Sequence, residues 1–362
     1  MARRLRRQSY TTLLLASVSV CITAQANAGV TVFRVKQGVC GTEPAGINDM
    51  GAVTGNYIDA SGNAHGFVRD SKGVIAIFDP TGSIETEPQA IDGKGSVAGR
   101  YMDQNYIYHG FVRAPDGTIT SFDPSHSTYT NAIAMGGAGV IVGQYGRGNG
   151  WLGFARSADG RIRTIRIPGA YDAVANAINH LGAITGAYAI SRDNPQAHGF
   201  VRDAAGTITS FDPDGSTDTS PVGIDSHGDA AGYYQEGNPI LHSFLRDADG
   251  TILKFDPPGA IGSSVAAING KGVIVGGYGT GTVGAGFLRA TDGTFTEFSI
   301  RDSAVTTPAG INSGGVVTGY FENNKGTSVG FIRDTSPGDK LSGDYSALQA
   351  EPPSSCDSGH RS

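Results

Sequence analysis

The chain has 362 residues, a formal net charge of −6 and 39% hydrophobic residues, with 55 glycines. That acidic balance disfavours nucleic acid and anionic lipid as partners, and no stretch beyond the first thirty residues approaches the roughly 18 apolar residues of a membrane span. Glycine at about twice its usual share, beside plentiful β-branched and aromatic residues, predicts many tight turns between strands rather than disorder.

The N-terminus opens with Arg3, Arg4, Arg6 and Arg7, continues with an apolar run over 13–24, and reaches the small-x-small site Ala26-Asn27-Ala28. This is the layout of a secretory signal peptide over 1–28, with an apolar run too short to anchor in a bilayer; a retained interfacial helix is the alternative. Cleavage removes four arginines and no acid, which takes the charge from −6 to −10. The mature chain is therefore expected to be secreted or periplasmic. Of three cysteines, Cys40 and Cys356 remain, and in an exported chain a disulfide between them is expected, with two free thiols as the alternative.

Residues 31–35 form a first strand pattern. After it an apolar-polar step before a glycine turn recurs at Ile47-Asn48, Ile91-Asp92, Ile133-Ala134, Ile178-Asn179, Ile224-Asp225, Ile268-Asn269 and Ile311-Asn312, at spacings of 44, 42, 45, 46, 44 and 43. Near-constant spacing marks an internal repeat. Each unit holds four strand patterns; in the second they lie around 90–91 and over 96–101, 109–113 and 118–122. Two of the links are tight, one after the marker and one carrying Asp-Gly or a close variant, as at Asp116-Gly117 and Asp249-Gly250.

Four antiparallel strands repeated seven times predict an all-β, seven-bladed β-propeller over 29–334, with a solenoid as the rival. The seventh unit lacks a fourth strand after Phe331-Ile332-Arg333. Phe33 lies 14 residues before Ile47, much as Phe78, Phe211, Phe255 and Phe298 lie 13 before their next marker. The N-terminal strand is thus expected to close the last blade and remove exposed sheet edges. The Pro/Ser-rich tail over 335–362 is expected to be largely disordered.

The I-N-x-x-G-x-V-x-G segment followed by H-G-F resembles the HAF repeats of bacterial exported proteins, over roughly 45–334. Gly or Ser stands where that family has Ala, as in His65-Gly66-Phe67 and His242-Ser243-Phe244. The resemblance implies export and tandem β-repeats, and it carries no established reaction or catalytic residue.

The most chemically suggestive residues are His65, His109, His198 and His242, each followed fourteen residues later by Asp79, Asp123, Asp212 or Asp256. Units that lack the histidine (Leu152, Ala285, Val329) also lack the aspartate (Arg166, Ser299, Arg34). A tight turn midway between the two sets them opposite each other, where the carboxylate satisfies the ring. Four equivalent copies point to architecture, similar to the structural His and Asp of WD-repeat propellers; a general-base or metal role is the alternative. Tyr57, Tyr101, Tyr145, Tyr188, Tyr234, Tyr278 and Phe321 share one position and are expected to pack between blades.

The two uniform links make one face bland. The variable links, second to third strand and fourth strand to the next unit, emerge together on the other, where a site is expected. There Glu43, Glu87, Arg100 and Tyr129 form a candidate catalytic set, since two carboxylates near a channel mouth can divide acid and base roles in glycoside hydrolysis; solvated rim charges are the alternative. Gln89, Asn131, Gln144, Trp151, Asn176 and Tyr233 are candidate ligand-binding residues. Trp151, the single tryptophan, suits stacking on a sugar or a partner, or plugging the blade. Arg161, Arg163 and Arg166 give the third unit a charged outer strand that deters strand addition.

Phosphate loops, nucleophile elbows and metal-ligand spacings are not found, and the Asp-rich stretch 212–218 misses the calcium-loop pattern, so neither cofactor nor metal is expected. Three readings stand: a secreted propeller that binds an extracellular glycan or protein, a carbohydrate-active hydrolase or lyase, and a structural envelope or matrix component.

Overall fold

Each repeat folds as an antiparallel meander whose strands pair in chain order. The first is Gly41–Ile47, Val53–Ile58, Ala64–Arg69 and Ile75–Phe78; the second is Ser83–Ile91, Val97–Asp103, Tyr108–Arg113 and Ile119–Phe122; the third is Tyr129–Met135, Ile141–Arg147, Gly150–Arg156 and Ile162–Ile165. The pattern continues to the last repeat, Val305–Ile311, Val317–Glu322 and Ser328–Arg333. This computed structural model describes residues 29–334, except 194, 195, 282, 283, 301, 302, 304 and 324, together with Cys356. The expected signal peptide, and the tail apart from Cys356, lie outside the described residues.

The fold is all-β, and among the described residues its one helical element is the three-residue 3-10 turn Gly137–Gly139. Four repeats are separate four-stranded sheets. The sixth, seventh and first join into one twelve-stranded sheet through single parallel bridges, Gly284 to Val305 and Gly41 to Ser328. Both bridges fall at a glycine and join a third strand to the first strand of the next repeat. Val30–Phe33 pairs antiparallel with Ser328–Arg333, Phe33 lying opposite Gly330.

The third strands carry the core. Phe67, Phe111, Phe154, Phe200, Phe244, Phe287 and Phe331, one per repeat, are all fully buried, and each contributes roughly 2–3 kcal/mol of apolar burial. Most meet a phenylalanine from the fourth strand of the preceding repeat: Phe78 and Phe111 lie edge to face at 5.9 Å, as do Phe122 and Phe154. An arginine at the end of the third strand covers the same ring, with Arg113 5.1 Å from the centre of Phe78 and Arg156 4.8 Å from that of Phe122. Phe33 has both relations with the first repeat, 6.0 Å from Phe67 and 5.1 Å from Arg69.

Every first strand carries a bulge, and it shows that one marker was misplaced. Ile47 pairs with Val53 and Ile91 with Val97, but the residue that pairs equivalently in the third repeat is Met135, opposite Ile141, not Ile133. Gly136 N–H then donates to Val140 O as Asn48 N–H does to Ala52 O. Ile133 occupies the bulge, where the apolar step imitates the marker two residues early. The bulge also explains the last glycine of the repeat motif: a Cβ on Gly99 would stand 2.2 Å from Glu87 O, so only glycine admits the partner carbonyl.

Successive repeats touch along their first strands, and Val305–Ile311 touches Gly41–Ile47. Marker asparagines tie neighbouring turns together. The side-chain amide of Asn48 donates to Asp92 O (2.9 Å), that of Asn179 to Asp225 O (2.8 Å), that of Asn269 to Asn312 O (2.9 Å) and that of Asn312 to Asn48 O (3.1 Å). Cys40 and Cys356 form a disulfide, as expected. Among the described residues no helix is long and apolar enough to cross a membrane.

Candidate functional site

In an antiparallel meander the starts of the first and third strands share an edge with the ends of the second and fourth. The four His–Asp pairs lie along this edge. His65 Nδ1 meets Asp79 at 2.8 Å, His109 meets Asp123 at 2.6 Å, and His198 and His242 meet Asp212 and Asp256 at 2.7 Å. Each imidazole also lies against the repeated tyrosine, as His65 does on Tyr57 (5.1 Å). The second carboxylate oxygen reaches the next repeat, taking a hydrogen bond from Thr130 Oγ1 at Asp123 and from Ser263 Oγ at Asp256. A histidine held on one side by a carboxylate and on the other by a tyrosine face is a fixed strut. Burial lowers the pKa of His65 and of His109, but the two aspartates around each ring outweigh it, so both are raised above the ordinary histidine value.

A different chemistry occupies the same edge where the second repeat meets the third. Glu87 and Arg100 are cross-strand partners, and Arg100 donates from Nε (3.1 Å) and Nη2 (2.7 Å) to Glu87 Oε2. Its Nη1 reaches across the repeat boundary to Tyr129 OH. The guanidinium lies 4.5 Å from the centre of the Tyr108 ring, whose hydroxyl donates to Glu85 Oε2 at 2.9 Å. Burial raises the Tyr108 pKa well above the ordinary tyrosine value, with Glu85 and Glu87 adding to it. Tyr129 packs edge to face on Tyr108 at 5.4 Å and on Trp151 at 5.0 Å, and Trp151 is 39% exposed. Trp151 N–H donates to Asp172 of the fourth repeat at 2.6 Å, which fixes the strand that carries the indole.

The nominated residues fall into groups. Glu87, Arg100, Tyr129 and Trp151 come together. Trp151 lies near the start of the third strand Gly150–Arg156, where it pairs with Gly146. Glu43 shares the position of Glu87 but turns to the last repeat, accepting from Ser328 Oγ at 2.9 Å and from Asn56 Nδ2 at 3.5 Å; the two carboxylates therefore engage different partners. With the third marker at Met135, Asn131 rather than Tyr129 is the equivalent of Glu43 and Glu87, and it pairs with Gln144 as Glu87 does with Arg100. Asn131 Oδ1 is buried and has no hydrogen-bond partner among the described residues. Ser220 and Tyr233 form the same cross-strand pair in the fifth repeat.

Asn176 lies in the bulge and donates to Pro221 O at 2.8 Å, an inter-repeat tie. Gln89 occupies the same bulge position in the second repeat, half-buried. Tyr108 and Glu85 escaped the sequence reading. The signal was present: Tyr108 and Trp151 both lie near the start of a third strand, and Glu85 and Tyr129 hold one position on the first.

No family model and no curated relative matches the chain. Among solved structures it is similar to virginiamycin B lyase from Staphylococcus aureus, at 18% identity and a TM-score of 0.56, over 85% of this chain and 99% of that one. A streptogramin B lyase gives 18% and 0.57 over the same shares. The β-propeller domain of the Trilobed protease from Pyrococcus furiosus gives 10% and 0.57, over 86% and 96%. At these identities the likeness is one of fold, and the fold is a β-propeller.

Proposed function

We propose that the chain is an exported HAF-repeat protein whose seven four-stranded blades close into a ring, with Val30–Phe33 as the fourth strand of the last blade, and that it binds an extracellular ligand on the variable face. Closure is supported by the Asn312–Asn48 tie and by the two contacts of Phe33 with the first repeat. A disulfide fits an oxidising compartment. The observation that carries the binding reading is Arg100: one guanidinium joins Glu87 of its own repeat to Tyr129 of the next, beside an exposed tryptophan. Preorganised polar groups against an aromatic wall are what a binding site requires.

Trp151 is the single tryptophan, so its fluorescence reports directly on this rim. A ligand drawn from a panel of extracellular glycans and proteins should shift or quench that emission and bind Trp151→Ala more weakly. A ligand that binds both proteins equally, with the emission unmoved, places the site elsewhere.

The second reading is a carbohydrate-active enzyme with Glu43, Glu87, Arg100 and Tyr129 at its centre. Its support is that one guanidinium brings the Glu87 carboxylate and the Tyr129 hydroxyl together on one rim. The separate engagement of Glu43 speaks against a paired acid and base. Release of reducing or unsaturated ends from a polysaccharide, lost in Glu87→Gln, would establish this reading over binding alone.

A further inference from the structure

Resting on the reading of this rim as a ligand site, we propose that its ligand is a neutral glycan. A pyranose ring lies on Trp151, and its hydroxyls meet the Glu87–Arg100 pair.

The donors and acceptors alternate in the way a diol requires. A sugar hydroxyl donates one hydrogen bond and accepts others, so it is best met where a fixed donor stands beside a fixed acceptor. Arg100 has five N–H groups, and three are engaged: Nε and one on Nη2 with Glu87, and one on Nη1 with Tyr129. Among the described residues the other two have no hydrogen-bond partner and can donate. Both contacts to Glu87 fall on Oε2, and among the described residues Oε1 has no hydrogen-bond partner and can accept. In the next repeat the half-buried Asn131 and Gln144 stand opposite each other at the equivalent position.

The aromatic wall fits the C–H face of a sugar. Trp151 meets Tyr129 edge to face, a geometry that covers at most one indole face. Asp172 holds its backbone and Tyr129 its flank, so little ordering remains to be done on binding.

Charge selects against acidic sugars. The guanidinium of Arg100 is already compensated by Glu87, and Glu85 adds a second carboxylate, engaged by Tyr108 OH among the described residues. A uronate or sulfate group brought here would meet net negative charge on a chain that is itself acidic. A neutral ring meets no such repulsion, and its binding should respond little to salt.

The test uses matched neutral and acidic polysaccharides in affinity electrophoresis of the mature, disulfide-bonded protein: galactan against polygalacturonate, and mannan against alginate. The expected result is retardation by at least one neutral member and not by its acidic counterpart. It should be unchanged between low and moderate salt and weakened about tenfold or more in Trp151→Ala. Arg100→Gln should weaken it too, with thermal melting showing that both variants remain folded. Trp151-dependent retardation by an acidic member overturns the neutral class while leaving the rim as the site. Retardation that Trp151→Ala does not alter overturns the rim itself, and retardation by no member of the panel overturns the glycan assignment.

Discussion

The side-chain amide of Asn312 donates to the backbone carbonyl of Asn48 across 264 residues of sequence, at 3.1 Å. The same asparagine accepts from the N–H groups of Gly314 and Val316, so one side chain both shapes its own turn and grips the next repeat. Aspartate can serve the first purpose but not the second. Asp92 and Asp225 accept from their own turns in this way but have no amide with which to reach forward.

Asn312→Asp should therefore keep the turn and lose the tie, lowering stability by about 1–2 kcal/mol in urea unfolding, the value of a buried hydrogen bond with its acceptor left unmet. Asn312→Ala removes both functions and should cost roughly twice that. Equal stability of Asn312→Asp and wild type would show that the tie contributes nothing to stability.

Phe33 carries another link between the chain ends. Phe33→Ala should destabilise the protein by about 3–4 kcal/mol, as for other buried aromatics. A double-mutant cycle with Arg69→Met should show coupling of about 0.5–2 kcal/mol from the ring–guanidinium contact. Additive losses would mean that Arg69 merely lies near the ring.

How much of this was legible in the sequence depends on how local each device is. The His65–Asp79 pair could be read because one hairpin turn sets its register. The role of Phe33 could be read from its spacing to Ile47. The arginines that close each third strand were passed over because the rings they cover, such as Phe78 under Arg113, belong to the preceding repeat. The third marker was misplaced because Met135-Gly136 lacks the Ile-Asn chemistry while Ile133 in the bulge supplies a false copy. That two-residue slip put Tyr129 where Asn131 belongs and hid the equivalence of Asn131 and Glu87. Tyr108 was hidden by its neighbour His109, whose partner drew the attention.

Two glycines separate close approach from loop tolerance. A Cβ on Gly99 would lie 2.2 Å from Glu87 O, whereas one on Gly93 meets nothing within 4 Å. Gly99→Ala should cost about 2–3 kcal/mol or more by forcing the bulge open, and it should also displace Glu87 from Arg100 and so weaken any ligand of the rim. Gly93→Ala should be neutral within about 0.5 kcal/mol. Similar melting temperatures for the two variants would refute the account of the bulge.

The disulfide closes nearly the whole described chain, 316 residues apart. On chain-entropy grounds a loop of that length is worth up to about 5 kcal/mol. Cys40→Ser should lower the melting temperature and abolish its sensitivity to reductant. A wild-type protein whose melting is already indifferent to reductant would show that the tail adds nothing to the fold.

His65 and His109 give the fold a pH dependence with a definite sign. Each has a second carboxylate near Nε2, Asp59 at 3.4 Å and Asp103 at 3.5 Å. Burial lowers both histidine pKa values, yet the paired aspartates leave them raised above the ordinary value. A histidine whose pKa is higher folded than unfolded stabilises fully below the unfolded value, near 6.5, and loses that contribution as pH rises through the folded value. Unfolding free energy measured from pH 5.5 to 9 should therefore fall with pH through this window. Replacing both histidines by leucine together with Asp79→Ser and Asp123→Ser should flatten the curve there without unfolding the protein, since other repeats carry apolar residues at the histidine position. A slope that survives in the quadruple variant would assign the pH dependence to other groups and leave the two struts electrostatically silent.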